Sequence, residues 1–275
     1  MAGGPACTRV AGLMAATLLG CASVPRPQQP FTDANQLLEL HQLASERVAS
    51  IRAEARVDQR GARGRIKGTV LMFVRRPASV RLDAMTQFGP AAVLTSDGGR
   101  FAYSDLRNRR FITGGTCPKN IARFLNIALS VDQTTLLLLG GTPVIVHEAA
   151  SIVWNEDGFY RVSLRAPGGA RQEVDLGIDD ANAPRARQAL RLLRSEIYDS
   201  RGHSQLRLSY DDYRSLPLGT FRVAMPFVVR VEQPTVGADT RIRFKQIALD
   251  GDVPAEAFEQ VPLPGMQEED ASCDP

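Results

Sequence analysis

Val93-Leu94-Thr95-Ser96-Asp97-Gly98-Gly99-Arg100-Phe101-Ala102-Tyr103 is the stretch on which the fold turns. Strand-forming residues flank Ser96-Asp97-Gly98-Gly99, a polar turn with two glycines, and this combination is a strong hairpin signal. A chain that reverses here lays two strands side by side in antiparallel order.

The same grammar continues on both sides. Upstream, Ile51 to Val57 alternates with polar residues, and Gln59 to Gly64 turns. Ile66 to Val74 forms a long strand that Arg75-Arg76-Pro77 ends, because proline lacks the donor a central ladder needs. Val80, Leu82 and Ala84 then alternate with Arg81, Asp83 and Met85, and Phe88-Gly89-Pro90 is the next turn. Downstream, Arg110-Phe111-Ile112 continues the meander. Strands resume at Ser151 to Trp154, turn at Asn155 to Gly158, and return through Phe159 to Leu164. Pro167-Gly168-Gly169 precedes Glu173 to Leu176, and residues 184–194 read as a short helix or an arginine-rich crossover. Leu206, Leu208 and Tyr210 alternate, Asp211 to Leu218 reads as a bend, and Phe221 to Val229 and Thr240 to Leu249 close the series.

Helical spacing interrupts the strands twice. Residues 31–49 carry Leu37, Leu38, Leu40 and Val48, with Asp33 or Thr32 to cap the start. Pro118 opens a second helical region with Ile121, Phe124, Leu125 and Ala128, and Ser130 with Gln133 has capping-box spacing for another helix ending at Leu136 to Leu139. The sum is a mainly β, α+β fold. Ten or eleven antiparallel strands form one strongly curved sheet, an unclosed half-barrel with the helices on its concave side.

The N-terminus has its own logic. Arg9 precedes an apolar run from Val10 to Leu19, too short to read as a membrane span and suited to an export signal. Removing Arg9 with the signal lowers the formal net charge from +3 to +2. That is no nucleic-acid-binding charge, and the arginines are spread along strands. Arg107, Arg109 and Arg110 form the one local basic group, a solvated turn or a contact for lipid headgroups or a partner. Cys7 leaves with the signal; Cys117 and Cys273 remain where disulfides are permitted, and pairing them would tie the tail to the middle of the domain. The tail from Glu268 is acidic and reads as mobile.

Chemistry is thinly represented. His41, His147 and His203 stand apart in sequence, outside any metal-binding pattern, and no serine sits in a nucleophile elbow. Asp211 and Asp212 are adjacent and would point to opposite faces of a strand. The paired glycines lack the surroundings of a phosphate loop. No catalytic residue, metal or cofactor is expected, and the chain reads as a non-enzyme. Apolar side chains are the better candidates. Met72, Phe73, Leu82, Phe101, Phe111, Phe221, Met225, Phe227 and Phe244 are candidate cavity walls, and Ile121, Phe124, Leu125, Leu136 and Leu139 a candidate lid. Alternation alone does not decide which strand face is concave.

Two resemblances sharpen this reading. Leu18-Leu19-Gly20-Cys21 resembles the lipobox of bacterial lipoproteins, which implies cleavage before Cys21 and acylation of that cysteine. Several acyl chains anchor stably where one would not, because each buried methylene contributes about 0.8 kcal/mol. Ala22 and Ser23, with no aspartate, imply the periplasmic face of a Gram-negative outer membrane. Arg76-Pro77 through Arg81, the 96–103 hairpin, the helical segment Pro118 to Leu125, and Asp252 to Phe258 with Pro262 and Pro264 resemble the lipoprotein-localisation (LolA/LolB-like) superfamily. The resemblance implies an unclosed barrel of eleven strands over an interior for acyl chains. It also implies lipid or acylated lipoprotein cargo and a periplasmic carrier as partner, as for the outer-membrane receptor. Phe88, or Leu94, would match that receptor's membrane-insertion loop. The domain scheme is then a signal over 1–20, an acylated cysteine with flexible spacer over 21–30, a lipid-binding domain over 31–265, and an acidic tail over 266–275. The competing reading is a structural or envelope-assembly lipoprotein with a filled interior that binds a protein partner.

Overall fold

A computed structural model describes residues 24–62, 64–118, 120–121, 129–178 and 189–273. The signal, Cys21, and the lid candidates Phe124 and Leu125 lie outside the described residues.

The 96–103 hairpin is built as its sequence requires. The Asp97 carboxylate accepts from the backbone N–H groups of Gly99 and Arg100, both at 2.8 Å, and Gly98 takes φ +103° between them. A side chain at that φ would be strained, so glycine is the residue that lets the strands reverse here.

The meander runs through β1 (Ser50–Gly61), β2 (Gly64–Arg75), β3 (Ser79–Thr86), β4 (Gly89–Ser96), β5 (Arg100–Asp105) and β6 (Arg110–Gly115). After the helical region come β7 (Ala149–Asn155), β8 (Phe159–Arg165), β9 (Arg171–Ile178), β10 (Leu190–Tyr198), β11 (Ser204–Leu218), β12 (Phe221–Gln233) and β13 (Ala238–Leu249), with β14 (Gln267–Ala271) at the end. They form one sheet of 14 strands in the order β14-β6-β5-β4-β3-β2-β1-β13-β12-β11-β10-β9-β8-β7. The expected eleven strands and purely antiparallel sheet are therefore corrected on both counts. Two of the extra strands come from segments that lack apolar alternation: arginine-rich β10 and acidic β14. β14 pairs parallel with β6, which makes the sheet mixed.

All other neighbours run antiparallel, so the connecting turns alternate between two rims of the sheet. The turns after β1, β3, β5, β8, β10 and β12 share the first rim; those after β2, β4, β7 and β11 share the second.

Two helices stand on the concave side among the described residues. Helix α1 (Ala34–Glu46) is capped by Asp33, whose carboxylate accepts from Asn35 and Gln36 N–H at 2.8 and 3.1 Å. A cap of this kind is worth about 1 kcal/mol. Ala34, Leu37, Leu38 and His41 form its buried side, over β7 and β10. Helix α2 (Val131–Leu138) has the full capping box of Ser130 and Gln133. Its exit is pinned to the sheet: the Tyr210 hydroxyl donates to Gly141 O at 2.7 Å, and the Gln172 side chain donates to Pro143 O and accepts from Ile145 N–H. Buried side chains join helices and sheet in one core, with Leu37, Leu137, Leu164, Leu176, Leu192 and Leu208 among those fully excluded from water.

The convex face is polar. An ion-pair ladder crosses it from Arg194 to Glu196, Arg207, Glu232, Arg230 and Asp239, traversing four strands. Burial alone would raise the Glu196 carboxyl, but hydrogen bonds from Arg207 and Arg194 outweigh it and hold the group at about 2. At the other end of the sheet the segment 252–266 lies across this face. Arg81 donates to Ala257 O, Arg75 stacks over the Phe258 ring at 4.6 Å, and the Gln260 side chain bonds Ser104, Thr95 and Ala102 O.

Both ends of the described residues are bonded to the body, in segments that composition reads as a flexible spacer and a mobile tail. Val24 N–H donates to Glu156 O at 2.8 Å, Pro27 is buried, and Phe31 meets Tyr160 edge-on at 5.6 Å. At the other end β14 is bonded to β6, and Cys273 forms a disulfide with Cys117.

Candidate functional site

The concave face differs between its two halves. Over β8 to β12 it carries large residues, including Tyr160, Leu164, Leu176 and Leu192, and the described helices and the loop after α2 fill the space above them. Over β1 to β4 a row of small residues crosses the sheet: Ala55 opposite Val70, Val70 opposite Ala84, Ala84 opposite Ala92, with Gly68 opposite Val57 beside it. A Cβ added at Gly68 would meet nothing within 4 Å among the described residues.

Helix α2 bridges this floor and leaves a cavity of about 410 Å³. That is the size of a small-molecule pocket, typically about 300–1,000 Å³. Its inner wall is Met72, Leu82, Leu94, Tyr103 and Ile242, and its roof is Leu129, Thr134, Leu137 and Leu138. The wall is apolar with sparse polar atoms. One is the buried Thr240 hydroxyl, which has no hydrogen-bond partner among the described residues.

The opening lies on the first rim. Ile66 at 65% exposure, Lys67 and Arg107 line the cavity where it meets solvent. A shallow depression continues outward over Gln87, Phe88, Pro90 and Leu106, sharing Thr86, Ala91 and Arg107 with the cavity. Phe88, in the turn between β3 and β4, is 90% exposed. Leu94 is not at a loop tip: it sits in β4, 3% exposed, in the cavity wall.

Of the nine wall candidates, Met72 and Leu82 line the cavity. Phe101, Met225, Phe227 and Phe244 are buried in the core on the same sheet face, beyond the cavity. Phe73 is on the convex face beneath the Arg52 guanidinium, Phe111 shares that face, and Phe221 is 69% exposed on the β11–β12 hairpin. In the roof, α2 turns Thr134, Leu137 and Leu138 to the cavity rather than Leu136 and Leu139; Leu139 and Ile121 are core residues. Sequence reasoning missed the floor, since small residues carry no hydrophobic signal. The available clue was their alignment: alanine and glycine repeating at cross-strand positions under an oily helix.

Groups suited to chemistry are scattered. His41 is buried in α1, His147 Nε2 lies 2.9 Å from Asn35 Oδ1, and His203 bonds Asp199 in a turn. Asp211 is exposed and Asp212 pairs with Arg214. In the basic turn, Arg109 donates to Pro264 O and Arg110 pairs with Glu269, which leaves Arg107 at the cavity opening. Among the described residues no group of three or more His, Cys, Asp or Glu could hold a metal ion, and no helix is long and apolar enough to cross a membrane.

No protein-family profile and no curated protein matches the chain. Solved structures do. A Vibrio parahaemolyticus domain assigned to outer membrane lipoprotein sorting shares 12% identity over 82% of this chain and 97% of its own, with a TM-score of 0.51. The fold is LolA/LolB-like. A DUF1329 family protein from Desulfovibrio piger superposes equally well, TM-score 0.51 at 12% identity, covering 82% of this chain and 95% of its own. A LolA superfamily protein from Nitrosomonas europaea reaches 0.49 at 12% identity over 82% of this chain. The LolA/LolB-like sheet here carries one addition to the antiparallel pattern, the parallel β14 fixed by Cys273.

Proposed function

We propose that this chain is a lipid-anchored, periplasm-facing lipoprotein that binds acyl chains in the cavity beneath α2. The cargo is a lipid or the acyl group of a lipoprotein, passed on without covalent chemistry. The observation that carries the reading is the apolar cavity over a small-residue floor, open at one rim and set in a LolA/LolB-like fold. Burying apolar surface supplies the affinity, at roughly 25 cal/mol per Å² removed from water. Ile66 and Phe88 give the opening an apolar lip across which a chain can slide, and the Thr240 hydroxyl, unpartnered among the described residues, can donate to an ester or amide carbonyl inside. Arg107 at the lip suits a polar, anionic head left outside, whereas the Lys67 ammonium already lies 3.6 Å from the Asp58 carboxylate.

The test is native mass spectrometry of residues 24–275, exported to a periplasm behind a cleavable signal that lacks a lipobox and purified without detergent, followed by organic extraction. A co-purifying lipid or acylated peptide is the expected result. A ligand-free mass that gains nothing from added phospholipid or lipopeptide sinks the carrier reading and leaves a scaffold that binds a protein partner.

A further inference from the structure

The second rim sits close to the lipid anchor. Val24 is held at the β7–β8 turn from both sides: its N–H donates to Glu156 O at 2.8 Å, and its carbonyl accepts from Trp154 Nε1 at 3.4 Å. From there the chain stays on the body, through buried Pro27 to Phe31, whose N–H donates to the Tyr160 hydroxyl at 3.2 Å. Only Ala22 and Ser23 separate Val24 from Cys21. A fully extended chain advances about 3.3–3.6 Å per residue, so the two Cα atoms are at most about 11 Å apart.

We infer that the second rim rests on the headgroup layer of the bilayer that takes the acyl chains, and that the cavity opens on the opposite side, away from that bilayer. The inference rests on the proposed acylation of Cys21. The alternation of turns does the rest. The β7–β8 turn belongs to the second rim, with the β11–β12 hairpin that carries exposed Phe221, whereas Phe88, Ile66 and Arg107 belong to the first. A spacer of twenty residues would let the body turn over; a tether of two residues into a hydrogen-bonded dock does not. The apolar lip therefore meets cargo arriving from the aqueous side. Phe88 is placed to touch a soluble carrier, not to enter the anchoring membrane.

The full acylated chain reconstituted in phosphatidylcholine vesicles with a headgroup-attached quencher tests this. A fluorophore is placed on Asp157→Cys in the β7–β8 turn, or on Gln87→Cys beside Phe88. Quenching several-fold stronger at position 157 than at 87 is expected. Ten glycine and serine residues inserted between Ser23 and Val24 should abolish that contrast. Equal or stronger quenching at 87 overturns the orientation, and so does a contrast that survives the insertion. The mass of the mature chain separates the two levels: an unacylated N-terminus overturns the anchor and the orientation together, whereas an acylated chain with the wrong quenching pattern overturns the orientation alone.

Discussion

His41 is the residue whose surroundings conflict most with its chemistry. It lies on the buried side of α1, 8% exposed, and neither ring nitrogen has a hydrogen-bond partner among the described residues. Burial disfavours the imidazolium, so the pKa falls from 6.5 to about 4. Above about pH 6.5 the ring is neutral in both folded and unfolded chains and burial carries no titration penalty. As pH drops from 6.5 towards 4 the unfolded chain takes up the proton and the folded one does not, so stability falls across that window. A shift of this size corresponds to about 3 kcal/mol. His41→Leu keeps a similar volume and removes the titration. Urea unfolding at pH 7 and pH 4.5 should show the parent losing clearly more stability than the variant. Equal losses would mean that His41 takes up its proton inside the fold.

At the scale of elements, what the sequence shows depends on whether an element buries a regular face. The hairpin at 96–103, both helix caps and the strands β1 to β4 follow from alternation and turn residues. β10 is harder to see because Arg191 and Arg194 stand among its leucines, and the ladder that accommodates charge there is a cross-strand property. The outer half of β11, Asp211 to Leu218, reads as a bend because it leaves the main sheet with β12 as a hairpin, and mostly exposed or half-buried residues lose the period of two. β14 has no sequence signature at all: Glu268, Glu269 and Asp270 are exposed, and only Ala271 is buried. Its place is set by the β6 edge, by Asn120, whose amide donates to Ala271 O at 3.1 Å, and by the disulfide to Cys117. β14 is thus an element held from outside itself. The bond spans a sequence separation of 156 residues, and closing long loops typically stabilises by about 2–4 kcal/mol. Cys273→Ser should lower global stability by that order and, before unfolding, should speed amide exchange in β14 and β6 over all other strands. Uniform acceleration across the sheet would show that β14 holds its place without the bond.

At the scale of the whole molecule, the cavity and the core draw on the same concave face. Where large residues fill it, the sheet and helices lock; where Gly68, Ala84 and Ala92 line it, α2 spans space. That division was illegible in the sequence, because it depends on which cross-strand positions fall under a helix rather than on any residue's own character. It implies a linkage. A ligand that binds only the folded chain adds about 2.7 kcal/mol at one hundred times its dissociation constant. For a domain of this size that is a rise of about 5–10 °C in the unfolding midpoint. Gly68→Leu and Ala84→Phe place side chains into the void. They should keep the fold, match or exceed the parent's midpoint without ligand, and lose the ligand-dependent rise measured with a lysophospholipid or a diacylated peptide. Phe244→Ala, a core truncation on the same face outside the cavity, should do the reverse, lowering the midpoint by the cost of its own cavity while keeping the rise. If the filled variants still gain the full shift, the acyl chain binds elsewhere, and the void beneath α2 is a packing defect rather than a site.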